Sequence, residues 1–305
     1  MHAHAGYRRA TLALLAAITL WGSTFIITKQ TMDEIGPFAL TFLRFLVGLL
    51  AIAPIAYRQG FRPALFFRPV FLQFGLTGIA LFYSLQNLGL VYTSAGNAAL
   101  IEASIPAVTA LLSFLILRER ITLPRLAGVV VTLAGVALVS GAQPSGDGGQ
   151  TILGNLLVFG AVLSFAIYTI QGKKLAVDYP PAVSTAASFG AGLLFLAPCM
   201  AGELYLTGLP HVDIHGWLAI LYLGIGTSAL TLFLWNYALQ YVDASVAALY
   251  TSLAPVTGIG FALLLGESAT PVQLIGGALA IAGVWGGNWR AQRTETEPVR
   301  AEVEK

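Results

Sequence analysis

The chain has 305 residues, of which 57% are hydrophobic and only 10% charged, with a formal net charge of +2. Soluble domains carry about 25% charged residues. The composition therefore excludes an ordinary cytosolic enzyme, a nucleic-acid binder and a disordered chain, and leaves a polytopic, all-α membrane protein. Cys199, the single cysteine, lies in an apolar run and can form no internal disulfide.

A spanning helix needs roughly 20 mostly apolar residues. In chain order the sequence predicts ten spans: 10–29, 37–57, 69–90, 95–117, 123–142, 152–172, 181–202, 216–240, 244–265 and 271–289. Arg8-Arg9 before the first span resembles the start of a secretory leader. The run that follows is long and lacks a small-residue cleavage site, so it reads as a retained helix. No segment is left over for a soluble domain, and residues 1–305 form one membrane domain with a solvated tail at 290–305. Loop charges test the count through the positive-inside rule. With both termini cytoplasmic, 14 of the 16 basic residues fall inside, Lys29 falls outside and Arg44 lies within a span. A missed span would reverse every later loop and destroy this split. The expected location is a bacterial inner membrane.

The chain repeats itself. Asn87-Leu88-Gly89 matches Asn236-Tyr237-Ala238, and Pro106 matches Pro255, at an offset of 149; Glu119 matches Glu267 at 148. Pro37, Phe45, Gly48 and Pro54 match Pro181, Phe189, Gly192 and Pro198 at 144. Each half, 10–142 and 152–289, holds five spans. An odd number makes the second half enter from the opposite side, giving an inverted-topology repeat around a central cavity, as in many secondary transporters. Trp21-Gly22-Ser23-Thr24-Phe25, Phe42-Leu43-Arg44-Phe45, Tyr92-Thr93-Ser94-Ala95 and Arg118-Glu119-Arg120-Ile121-Thr122, with Leu265-Gly266-Glu267, carry a resemblance over residues 10–290. In them the chain resembles the drug/metabolite transporter superfamily, and within it the EamA-type exporters, with the YddG-like aromatic amino-acid exporters as a candidate branch. The second half departs from the pattern, with Ser188 where the first has Arg44 and Phe165-Ala166 where it has Trp21-Gly22.

Arg44 and Glu102 are charges well inside spans, which demand a partner, a cavity or a task. Each lies seven residues from the outer start of its span, about 10 Å deep at 1.5 Å per residue. At one depth they are candidates to pair. Otherwise Arg44 snorkels outward or bonds helix-end carbonyls, and Glu102 is a protonated hydrogen-bonded side chain or a proton carrier. Pro106 removes the partner of the Glu102 carbonyl, and Pro255 does the same for Thr251. These are plain kinks or helix breaks that line a polar cavity. Around them lie Trp21, Thr24, Tyr83, Gln86, Asn87, Tyr168, Trp235, Asn236, Tyr250 and Thr251. Aromatic faces with amides and hydroxyls suit a small zwitterion or amphipathic solute. They serve equally as interhelical hydrogen bonds and interfacial aromatics.

Gly224-Ile225-Gly226-Thr227-Ser228-Ala229 mimics a dinucleotide fingerprint but lies inside an apolar span with no strand before it. No metal site, cofactor or nucleic-acid partner is expected. His211, Asp213 and His215 share an outer loop, and no histidine falls within a span. The sequence reads as a non-enzymatic, monomeric carrier working by alternating access, and the resemblance implies export of amino acids or small metabolites, facilitatively or coupled to protons. A multidrug effluxer is the competing carrier, and a membrane-embedded transferase or protease the reading from another class.

Overall fold

The computed structural model describes residues 2–93, 98, 101–102, 104–118, 148–254 and 256–257, with isolated positions within 123–134 and 271–282. In chain order these form α1 (His2–Thr31), α2 (Pro37–Arg58), a 3₁₀ turn (Pro63–Phe67), α3 (Pro69–Tyr92), α4 (Ile105–Leu117), α5 (Gly148–Leu175), α6 (Pro181–Thr207), α7 (Ile214–Ala238) and α8 (Ala244–Thr251). No strand occurs among the described residues. Apart from the isolated positions, the expected spans 123–142 and 271–289 lie outside this set. So do 258–265, the tail 290–305, Pro255, Glu119 and Glu267.

Local chemistry sets the helix ends. Prolines open α2, α3 and α6, where their missing N–H is not needed. Asp213 caps α7 by accepting from the Gly216 N–H at 2.8 Å. Gly208, at φ +81°, ends α6 in a conformation that favours glycine. The helix of the seventh expected span thus runs five residues beyond 202, to Thr207.

Among the described residues, 37–58, 69–92, 152–175, 181–207 and 214–238 are helices long and apolar enough to cross a membrane. Their faces are sorted accordingly. On α2, Arg44 is 1% exposed while Leu50 is 66% exposed. A helix that hides its charge and presents leucine outward suits a hydrocarbon surround.

Packing between the helices is reciprocal. α1 packs along α7, and α5 packs along α3. α2 crosses α7, and α6 crosses α3. α2 also meets α6, and α4 meets α8. Glycines permit the close crossings. A β-carbon on Gly48 would lie 3.0 Å from the Gly224 carbonyl, and one on Gly192 would lie 3.2 Å from the Gly75 carbonyl. Both crossing helices carry a π-helical stretch, Leu76–Leu81 in α3 and Leu223–Leu230 in α7. Such stretches often mark functional sites, because they free backbone groups and rotate the faces on either side. The second of them contains the glycine run that mimics a dinucleotide fingerprint.

Candidate functional site

Four helices each contribute a ring to one central cluster: Trp21 from α1, Phe82 from α3, Phe165 from α5 and Trp235 from α7. Trp21 meets Phe165 edge-on with centroids 5.0 Å apart, Phe82 at 5.9 Å and Trp235 at 6.2 Å. Phe165 lies 4.9 Å from Phe82 and 5.3 Å from Trp235. A second chain of rings adjoins it, with Phe45 4.8 Å from Tyr83 and 5.0 Å from Phe189. Edge-to-face pairs of this kind add ~0.5–1.5 kcal/mol beyond area burial.

Polar groups interrupt these apolar walls. Gln86, one turn beyond Phe82 on α3, donates from Nε2 to Glu102 Oε1 at 2.6 Å. Glu102 is half-buried although Tyr83, Gln86 and Asn87 beside it are buried. The Thr24 Oγ1, Ser252 Oγ and Trp235 Nε1 atoms are buried with no hydrogen-bond partner among the described residues. Such groups are costly in an apolar interior and are candidates to meet a solute.

Arg44 does not pair with Glu102. Its Nε donates to Ser228 Oγ at 2.9 Å and its Nη2 to Thr227 Oγ1 at 3.0 Å, both on the π-helical stretch of α7. Its guanidinium lies over Tyr83, 4.7 Å from the ring centroid, and 5.4 Å from that of Phe45. Equal depth fixes only the height of a side chain: Arg44 bonds the hydroxyls of α7, and Glu102 is bonded by Gln86 of α3. Snorkelling is excluded as well, because Arg44 is 1% exposed.

The other expected residues divide in two. Asn87 donates from Nδ2 to Thr41 Oγ1 at 3.0 Å, and Asn236 donates from Nδ2 to Thr185 Oγ1 at 3.0 Å. These amides tie helices together. Tyr168 stacks on Phe74 at 4.2 Å, and its hydroxyl accepts from Asn236 Nδ2 at 3.1 Å. The Thr251 hydroxyl donates to the Ala248 carbonyl of its own helix at 2.7 Å. Tyr250 is buried on α8. Trp21, Thr24, Tyr83, Gln86, Glu102 and Trp235 remain as the groups with polar atoms or ring faces to offer. At Pro106 the chain interrupts its helix: Ser104 is a turn residue, α4 restarts at Ile105, and Pro106 sits in its first turn. α8 ends at Thr251, four residues before Pro255. The rings of Phe45, Phe82 and Phe165, and the hydroxyls of Thr41, Thr185 and Ser228, belong to the site region and were not among the expected set. Apolar rings carry no mark that distinguishes a cavity wall from a lipid face. The Thr41 and Thr185 pair could have been found, since both lie at the offset of 144 that aligns Pro37 with Pro181.

The EamA-like transporter family matches residues 8–141 and again 152–288. A probable terminal-alkyne amino-acid exporter of Streptantibioticus cattleyicolor is 30% identical, over 90% of this chain and 92% of its own. A probable amino-acid metabolite efflux pump of Salmonella typhimurium is 29% identical, over 90% of this chain and 92% of its own. A solved crystal structure matches the fold with a TM-score of 0.80 at 23% identity, covering 94% of this chain and 99% of that one.

Proposed function

Since the chain belongs to the EamA-like transporter family, and is therefore a multi-pass membrane transporter, we propose that it exports amino acids or related small metabolites by alternating access. The moving parts are two five-helix inverted-topology repeats, 10–142 and 152–289, in a ten-helix monomer with both termini cytoplasmic in a bacterial inner membrane. The central site lies where Trp21, Thr24, Tyr83, Gln86, Glu102 and Trp235 converge, flanked by the break at Pro106 and the end of α8 at Thr251. Asn87, Tyr168, Asn236, Tyr250 and Thr251 form its supporting ring.

One observation carries this reading. Glu102, a carboxylate within an apolar span, is held by Gln86 beside a wall of four rings. A carboxylate there recognises a cationic group, and the rings take up an apolar side chain. The reciprocal packing supports the mechanism. Phe45 touches Phe189 and Trp21 touches Phe165, and in both cases the partners are 144 residues apart. Residues beside a two-fold axis meet their own counterparts in this way. Two halves so related can exchange conformations and expose the site to each side in turn. The two relatives reported above, one named for terminal-alkyne amino acids and the other for amino-acid metabolites, support this substrate class.

Purified protein in liposomes tests the reading. Labelled amino acids should cross without chemical change, and a pH gradient should distinguish proton coupling through Glu102 from facilitated flux. Transport of lipophilic cations with no amino-acid flux would favour a multidrug carrier, the second reading, which the aromatic wall also supports.

A further inference from the structure

Arg44 and Glu102 carry opposite charges beside the same helix and do not neutralise each other. Arg44 lies over the Tyr83 ring, and Glu102 is held by Gln86. Positions 83 and 86 are three apart on α3, so they share a face about one turn, or ~5 Å, apart.

Neither charge has a counter-ion among the described residues. A guanidinium has five N–H donors. Here Nε and Nη2 each bond one neutral hydroxyl, and Nη1 meets no acceptor among the described residues. Glu102 has one oxygen bonded to a neutral amide, and the other is without a partner among the described residues. The site thus offers a positive and a negative pole, one against Tyr83 and the other against Gln86 on the same helix. A wall of rings runs from Phe82 beside them to Trp21 and Trp235.

Resting on the amino-acid export reading, we propose that the two poles recognise a zwitterion, with the solute's α-carboxylate on Arg44 and its α-ammonium on Glu102. The planar fork of Arg44 matches a carboxylate bidentately, which an ammonium in its place would not. The solute's side chain lies against the aromatic wall. An amine, a simple acid or an uncharged lipophile leaves one pole or both unneutralised, and is rejected for that reason. The substrate class is therefore free α-amino acids, and the selectivity lies in residues of the first half alone.

The test uses the full chain in liposomes, with uptake of a labelled mixture of the twenty common amino acids competed by unlabelled amino acids, their methyl esters and their N-acetyl derivatives. Wild-type protein should prefer the free amino acids over both derivatives by about tenfold or more. Glu102→Gln should erase the discrimination against N-acetyl derivatives and leave that against esters. Arg44→Gln should do the reverse. If Arg44→Gln fails to fold, Arg44→Lys replaces the fork with a single ammonium and should weaken the discrimination against esters without erasing it. Wild-type flux with no preference over the derivatives overturns the proposal and leaves amino-acid export standing. Unaltered discrimination in Glu102→Gln does the same, whatever the Arg44 variants do. Absence of flux for all twenty amino acids overturns both.

Discussion

In the first half of the chain Asn87 donates to Thr41, and in the second Asn236 donates to Thr185, both at 3.0 Å. One residue before each asparagine the likeness ends. Gln86 holds the carboxylate of Glu102, whereas the Trp235 indole N–H meets no acceptor among the described residues. At the positions aligned by the 144 offset, Arg44 reaches across to α7, whereas the Ser188 hydroxyl turns back to the Thr185 carbonyl. The Asn–Thr bonds and the glycine crossings occur twice. The groups proposed to face a solute occur once. In the proposed mechanism, duplicated packing lets the halves exchange places, and unduplicated lining gives a small asymmetric solute one orientation.

The severest way to break this comparison is to obstruct its crossings. A β-carbon on Gly75 would lie 2.6 Å from the Ser188 carbonyl oxygen, and one on Gly224 would lie 2.8 Å from that of Arg44. Both obstacles are backbone and cannot swing aside. Gly75→Ala and Gly224→Ala should each cost about 3 kcal/mol or more, read as lost thermal stability in detergent. If one half tolerates the change and the other does not, the crossings are not equivalent.

The next effect should be one-sided. Glu102→Gln should lower amino-acid flux at least about tenfold, or ~1.4 kcal/mol in transition-state terms. Thr251→Val, at the counterpart position, should change it less than about twofold, because the Thr251 hydroxyl serves its own helix. Equal losses would mean that both halves line the site alike.

The duplication was legible because prolines, glycines and asparagines in helix-packing roles keep their spacing. Pro37 with Pro181 and Asn87 with Asn236 marked the frame, and the helices start where the prolines predict. The partners of Arg44 were not legible. Depth along a span follows from counting residues, but the direction a side chain takes around the helix depends on which helix packs there. The π-helical stretches were hidden as well. An i→i+5 bond has no residue of its own, and Gly224-Ile225-Gly226 read only as a false nucleotide motif. The rings of Phe82 and Phe165 look in sequence like any lipid-facing phenylalanine.

A smaller effect should be two-sided. Thr41→Ala and Asn87→Ala, alone and together, measure the coupling across one bond. Thr185→Ala and Asn236→Ala measure it across the other. Each coupling should be about 1 kcal/mol, within the range for interhelical bonds in membrane bundles. The Asn236→Ala single variant should cost somewhat more than Asn87→Ala, because Asn236 also bonds Tyr168. Couplings that differ by more than about twofold would show that the shared distance conceals unequal bonds.

The smallest effect lies at the ends of the helices, where the halves differ again. Glu203 on α6 accepts from the Ala39 N–H at 2.8 Å and the Phe38 N–H at 3.3 Å, at the N-terminus of α2. The 144 offset gives Gln59 as its counterpart, and the Gln59 side chain makes no such bond among the described residues. A carboxylate at a helix N-terminus is worth about 0.3–1 kcal/mol and is weakened by salt. Glu203→Gln keeps an acceptor but loses the charge, so it should cost about 0.5 kcal/mol at low ionic strength and little at high, while Gln59→Ala should cost nothing measurable. If the halves exchange conformations during transport, a tie present at one end only must loosen in one of the two states. Its loss then shifts their ratio about twofold. Comparing flux in the two directions across the liposome membrane, at low and high salt, separates this shift from a simple loss of stability, since destabilisation lowers both directions alike.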